Sequence, residues 1–238
     1  LGSSSQEERK TMFEQAFTLF DLRGMTLLAD REYIGQEWFK FLKDWGLNFV
    51  IRLRWGDYYE QVDNQGGQSY VQMAKKCIHG QKLLKKRITL QGQQYSLLMI
   101  PNPKVDADEP MMIFLTTLPP TSYTAKLYAK RWKIECLFKH LKSNGYHLED
   151  LKLKDANKHC LMMALVSIAY VLAIREGTKR LSNIPIQTYR DGSETLESSI
   201  FREGLAHLTA ICFSFTRFLT YVILLLKPRR QDWIKNVQ

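Results

Sequence analysis

The sequence predicts an α/β fold, and three observations carry that prediction. Met25-Thr-Leu-Leu-Ala29, Phe49-Val-Ile-Arg-Leu53 and Met111-Met-Ile-Phe-Leu115 are short, almost continuously apolar runs, the pattern of strands buried on both faces. Helical periodicity precedes the first run and separates it from the second. From Gly56 to about Pro110 the character changes to short strand-like pieces broken by polar turns, read as an antiparallel β subdomain inserted into the α/β core. The expected organisation is a first part of the core over 1–55, the insertion over 56–110, the remaining core over 111–154 and a C-terminal helical region over 155–238.

Ser3 to Ser5 followed by Gln6-Glu-Glu form a serine N-cap with acids in the first turn. Met12, Phe13, Ala16, Phe17, Leu19 and Phe20 extend that helix to about Phe20. Asp21-Leu-Arg-Gly24 is a turn, the first strand ends at Asp30, and helical periodicity resumes over Tyr33 to Trp45. Within the insertion, Asn64-Gln-Gly-Gly67 is a turn and Gln91-Gly-Gln-Gln divides a hairpin of Arg87–Leu90 and Tyr95–Ile100. Asp106 to Pro110 belongs to a loop. Thr121 or Ser122 caps the next helix, and Ser143-Asn144-Gly145 ends it. Tyr146 to Lys154 is an extended link, Ala156 to Glu176 a buried helix, and Thr178 to Ser198 a polar loop. Two helices cover about Ile200 to Leu226, followed by a basic tail from Lys227.

A chain of 238 residues with 45% hydrophobic and 12% aromatic content is a folded protein with a substantial core. Its formal charge of +10 and pI near 9.4 favour a polyanionic partner. Cys77, Cys136, Cys160 and Cys212 are too scattered for a zinc ribbon or a disulfide framework and are expected as reduced, mostly buried thiols. The apolar run Leu161 to Ile174 is too short to span a bilayer, and His207 and Arg217 interrupt Leu205 to Leu226. Both are expected as core helices of a cytoplasmic protein with no membrane partner.

Tyr128 to Lys142 contains no Gly or Pro and predicts one continuous helix of about four turns. Tyr128, Arg131, Glu135 and Lys142 fall in a stripe about 60° wide. Leu127, Ile134, Leu137, Phe138 and Leu141 form an adjoining apolar face expected to dock on a sheet. Between Lys126 and Lys142 there are six Lys or Arg and one carboxylate, Glu135. That suits an acid holding a metal while its neighbours hold a polyanion; a solvated basic helix with an intrahelical Glu–Lys pair is the plainer alternative. Asp30, at the carboxyl end of a strand, sits where α/β sheets place their ligands, and it is equally an N-cap. Two such acids are the beginnings of a site for a hard, oxygen-loving ion, with Arg and Lys left for phosphates. The lysines and arginine of the insertion (Lys75, Lys76, Lys82, Lys85, Lys86, Arg87) serve either phosphate contact or solubility.

Tyr128-x2-Arg131-x3-Glu135-x6-Lys142 resembles the Y-R-E-K signature of DDE transposases from bacterial insertion sequences, which have an RNase H-like fold. Leu27-Leu-Ala-Asp30-Arg-Glu-Tyr33-Ile-Gly35 is similar to their second-aspartate motif. The resemblance implies Mg²⁺- or Mn²⁺-dependent cleavage of DNA at element ends followed by strand transfer, within a homodimeric synaptic complex of a nucleoid-associated bacterial protein. It implies Asp30 and Glu135 as catalytic metal ligands, and Tyr128, Arg131 and Lys142 as DNA-binding residues. An aromatic in the insertion holds a flipped base in such enzymes; Trp55, Tyr58 and Tyr59 are the choices here. One departure stands out. The family's first aspartate lies on an earlier strand, and the only Asp before Asp30 is Asp21, in a turn. The chain is therefore expected to correspond to the carboxyl-terminal two-thirds of a transposase, truncated before its first aspartate and weakly active or inactive alone. A catalytically dead DNA-binding remnant and an RNase H-like nuclease are the alternatives.

Overall fold

The computed structural model describes residues 5–102, 109–142, 145–152 and 155–227. Expectations for Ser3, for Asp106, for Ser143 and Asn144, for Lys154 and for the tail beyond Lys227 lie outside the described residues. The chain divides into two compact units, Leu1–Ile134 and Glu135–Gln238.

In the first unit α1 (Gln6–Leu19) opens on Ser5, whose hydroxyl accepts from the Glu8 N–H while the Glu8 carboxylate accepts from the Ser5 N–H. This reciprocal pairing is the capping box that the sequence implies. β1 (Thr26–Ala29) and β2 (Asn48–Leu53) are parallel, joined by a 3₁₀ turn (Arg31–Tyr33) and α2 (Gln36–Asp44). α3 (Tyr59–Asp63) and α4 (Tyr70–Ile78) follow, then β3 (Leu84–Leu90), β4 (Gln93–Pro101) and β5 (Met111–Thr116). All five strands form one mixed sheet in the order β1-β2-β5-β4-β3, antiparallel except for β1 with β2. Gln91 (φ 47) and Gly92 (φ 72) turn the β3–β4 hairpin with both residues at positive φ, matching strand twist.

Two sequence expectations are corrected here. Residues 59–78 hold two helices, not short strands, and the β3–β4 hairpin extends the main sheet. β1, expected as a central strand, lies at the edge of the described sheet and is only half-buried except at Ala29.

Each sheet face has its own apolar layer. One is the large cluster of Trp38, Phe39, Leu42, Phe49, Ile51, Tyr70, Met73, Leu97, Met99 and Leu115 with their neighbours. The other is smaller: Val50, Leu98 and Phe114, covered by Ala125 and Tyr128. Those last two lie on α5 (Ser122–Leu127) and on a 3₁₀ turn (Tyr128–Arg131) that runs into α6 (Trp132–Lys142). The expected single α-helix from Tyr128 is thus a tightened turn followed by an α-helix. Docking is by Ala125 and Tyr128; Ile134 and Phe138, expected on the docked face, are exposed, and Leu141 is buried.

The second unit contains most of α6, α7 (Ala156–Lys179), a small hairpin of β6 (Ile186–Thr188) and β7 (Glu194–Leu196), α8 (Ile200–Cys212) and α9 (Phe215–Leu226). The hairpin replaces the expected loop. α7 and α8 cross closely at Ala173, Gly177 and Gly204. Beside this crossing the buried Glu176 accepts from Lys179 Nζ (2.7 Å) and Tyr221 Oη (3.1 Å). Burial raises its pKa, but these donors, with Arg175, hold it below the ordinary carboxylate value. The expectation of buried core helices fails: Leu161 (61% exposed), Ile168 (60%) and Val171 (63%) on α7 and Phe215 (77%) on α9 face outward. Among the described residues α7 is one helix long and apolar enough to cross a membrane, whereas α8 and α9 meet at 119°. Only Cys77 of the four free cysteines is buried.

Candidate functional site

Where β1 ends, the chain must release its ladder and turn. Asp30 does this by accepting the Glu32 N–H on Oδ1 (3.1 Å), capping the 3₁₀ turn. That turn is braced from α1: Arg9 Nη1 donates to Glu32 O (2.5 Å), and its guanidinium lies 4.5 Å over the Tyr33 ring. The other Asp30 oxygen, Oδ2, is 4.0 Å from Arg131 Nη1. Arg131 in turn sits 5.7 Å over the ring of Tyr128, which packs 4.8 Å from Phe114 on the sheet. Three of the five residues singled out from the sequence (Asp30, Tyr128, Arg131) therefore converge at the end of β1. Burial raises the Tyr128 pKa above its ordinary value, with Asp30 adding to the rise and Arg131 and Arg52 opposing it. Its hydroxyl is a neutral donor at physiological pH, suited to an anion's oxygen and not to proton abstraction.

Glu135 is exposed in the first turn of α6 and Lys142 is exposed in the last. Both belong to the second unit.

Three residues with no assigned role complete the first-unit cluster. Glu109 accepts both guanidinium nitrogens of Arg31 (2.8 and 3.0 Å) and Arg52 Nη2 (2.6 Å). Burial pushes the Glu109 pKa up, but the two arginines more than offset this and hold it below the usual value. A signal for Arg52 was present: it is the one charge inside the apolar run of β2. Because the folded pKa is depressed, Glu109 stabilises at pH values above the ordinary carboxylate range, and this is lost as pH falls through its folded value. Glu109→Gln is expected to lower stability by about 1–2 kcal/mol at neutral pH. The difference from wild type should vanish in acid; urea midpoints measured across pH that stay parallel would reject the clasp.

The aromatic candidates also separate. Tyr58 is half-buried, its ring 6.0 Å from Phe39. Trp55 (54% exposed) lines a mainly apolar cavity of about 280 Å³ together with Leu53, Ile78, Glu109, Pro110, Met111 and Ile113. Tyr59 is also exposed.

A divalent hard ion takes several oxygen ligands. Among the described residues no three His, Cys, Asp or Glu side chains gather to hold one. Asp30 presents one carboxylate, engaged by a backbone N–H and facing a guanidinium. The first-unit cluster does not by itself fit a metal centre; it fits an anion.

The Transposase DDE domain family model matches residues 4–172. The chain belongs to the DDE transposase family. No curated protein sequence matches it. The matched span runs from α1 into α7 and includes Asp30, Tyr128, Arg131, Glu135 and Lys142. DDE transposases act in DNA transposition, and a mixed α/β body with a five-stranded sheet is compatible with that membership. β6, β7, α8 and α9 lie beyond the matched span.

Proposed function

We propose that this DDE transposase chain binds and processes the DNA ends of a bacterial insertion element, on an RNase H-like body divided as 1–55, 56–110, 111–154 and 155–238. The observation that supports this most is Arg131 poised between Asp30 and the Tyr128 ring at a strand end. A guanidinium so placed and a neutral phenol beside it bind a phosphate, with the Asp30 carboxylate setting the guanidinium from its other side. Arg131, Tyr128 and Lys142 hold the phosphate backbone. Asp30 of the first unit and Glu135 of the second are each assigned as a ligand of Mg²⁺ or Mn²⁺, an ion that would supply nucleophile activation and leaving-group stabilisation. Neither acid suffices alone. The working assembly is a homodimer in the cytoplasm at the nucleoid.

A second reading, DNA binding without cleavage, is favoured by the absence of a three-ligand cluster among the described residues. One experiment separates the two: nicking and strand transfer on duplex DNA with Mg²⁺, run on this chain and on any longer product of its reading frame. Glu135→Gln is expected to remove cleavage while leaving binding intact, and unchanged cleavage would reject its role. Arg131→Ala is expected to weaken binding to cleaved ends about tenfold or more; equal affinity across a salt titration would remove Arg131 from the interface.

A further inference from the structure

Between α7 and α8 the chain forms a hairpin without apolar cover. Every residue from 185 to 197 is exposed. Among the described residues no third strand joins β6 and β7. A two-stranded hairpin alone in water is marginal, and further strands or a packed helix are what make one stable. The residues are nonetheless good strand formers: Ile186, Thr188, Tyr189 and Thr195 are β-branched or aromatic.

Hydrogen-bond parity decides which backbone groups face outward. Tyr189 N–H donates to Ser193 O (2.8 Å) and Glu197 N–H to Pro185 O (2.9 Å), while Gln187 pairs with Thr195. The odd-numbered residues of β6 therefore bond across the hairpin, and alternation turns the N–H and C=O of Ile186 and Thr188 to the open edge. Glu194 and Leu196 do the same on β7. Pro185 bonds inward through its carbonyl, so its missing N–H does not interrupt the outer edge of β6.

The two edges differ in charge. From 184 to 189 the chain reads Ile-Pro-Ile-Gln-Thr-Tyr, without a charged residue, whereas β7 carries Glu194 and is followed by Glu197. Pairing β7 with a second β7 would bring both carboxylates of each copy to one seam, the kind of guard that keeps an edge single. β6 has no such guard.

β6 is also complementary to itself. Antiparallel pairing about a two-fold axis at Gln187 sets Ile186 against the partner's Thr188 and Thr188 against the partner's Ile186. Both are hydrogen-bonded pairs, so the outward N–H and C=O of Ile186 and Thr188 are all satisfied. Tyr189 then stands opposite the partner's Pro185, and the two glutamine amides at the axis can each donate and accept. Ile186 comes to lie between Leu196 of its own hairpin and the partner's Thr188.

Resting on the homodimer proposed above, we propose that the free edge of β6, through Ile186 and Thr188, docks on β6 of a second copy of this chain. The two hairpins become one four-stranded antiparallel sheet with β6 beside β6 at its centre, an isologous contact. A seam of two short strands buries less than about 1,200 Å², so its dissociation constant is roughly micromolar or weaker.

The test is sedimentation velocity of the full chain, without DNA, from about 1 to about 300 μM. Wild type is expected to pass from monomer to dimer across the series. Thr188→Pro deletes an outward N–H and spares the bonds to β7; it should raise the dissociation constant about tenfold or more. Glu194→Pro makes the same change on the β7 edge and should leave that constant within about twofold. In a Cys160→Ser/Cys212→Ser background, Gln187→Cys should give a disulfide-linked dimer under mild oxidation, because facing residues at the axis stand at disulfide distance. Thr195→Cys should not. A dimer that Thr188→Pro leaves intact and Gln187→Cys does not cross-link overturns the seam and keeps the homodimer. Equal losses in both proline variants without a Gln187→Cys cross-link trace the effect to the hairpin's own fold and also overturn the seam. Wild type that stays monomeric throughout overturns both.

Discussion

Gly204→Ala is expected to disrupt the packing of α8 on α7. A methyl group added at Gly204 would stand 1.8 Å from the carbonyl oxygen of Ala173, and one added at Gly177 would stand 1.8 Å from that of Ile200. The obstacle in each case is backbone, which cannot rotate aside as a side chain does. The helices must separate, withdrawing Ala173 and Phe201 from close contact and loosening the shell around Glu176. Overpacking of this kind costs about 3 kcal/mol or more. The readout is selective, because four of the five tryptophans (Trp38, Trp45, Trp55, Trp132) lie in the first unit. Gly204→Ala should lower the melting midpoint of helical ellipticity and open α8 to protease while tryptophan emission changes little. A wild-type midpoint would mean that the close crossing does not exist in solution.

Phe39→Ala is expected to give the complementary result. Phe39 is fully buried on α2, with its ring 5.4 Å from Phe49, 6.0 Å from Tyr58 and 6.1 Å from Tyr95. It ties helix α2 to strands β2 and β4 at one point. Truncation removes the ring's transfer energy and leaves a cavity that the surrounding rings cannot collapse, a loss of about 3–5 kcal/mol. Urea unfolding followed by tryptophan emission should show it. A loss below about 1 kcal/mol would place Phe39 outside the core.

What was legible in the sequence was whatever local physics decides. The strands at Met25, Phe49 and Met111 announce themselves by unbroken apolarity, and Ser5 and Thr121 by hydroxyls that cap α1 and α5. α4 was legible and missed: Tyr70, Met73, Ala74 and Cys77 recur at helical spacing behind a Ser69–Gln72 capping box. So was the β6–β7 hairpin, whose Asp191-Gly192 is a strong turn signal. What was not legible depends on partners. Composition marks α7 as apolar, but only tertiary context decides whether Leu161 or Val171 is covered. Likewise an apolar run cannot say that β1 stands at an edge, since a strand's place in the sheet is set by what pairs with it. Within the site, Asp30 could be assigned to a strand end and Arg131 to a stripe of the following helix, but not their approach to one another. Nor could the clasp of Arg31 and Arg52 on Glu109, because those three residues are far apart in sequence and meet only in the tertiary fold.

The Arg31–Glu109–Arg52 clasp changes what a salt titration can see. Glu109 is an internal counter-ion: it occupies both guanidiniums with a carboxylate that dilution cannot remove. A polyanion arriving there displaces a tethered carboxylate, not a mobile salt ion, and gains no mixing entropy from the exchange. The contribution of Arg31 and Arg52 to holding an anion therefore follows the protonation of Glu109 and not the ionic strength.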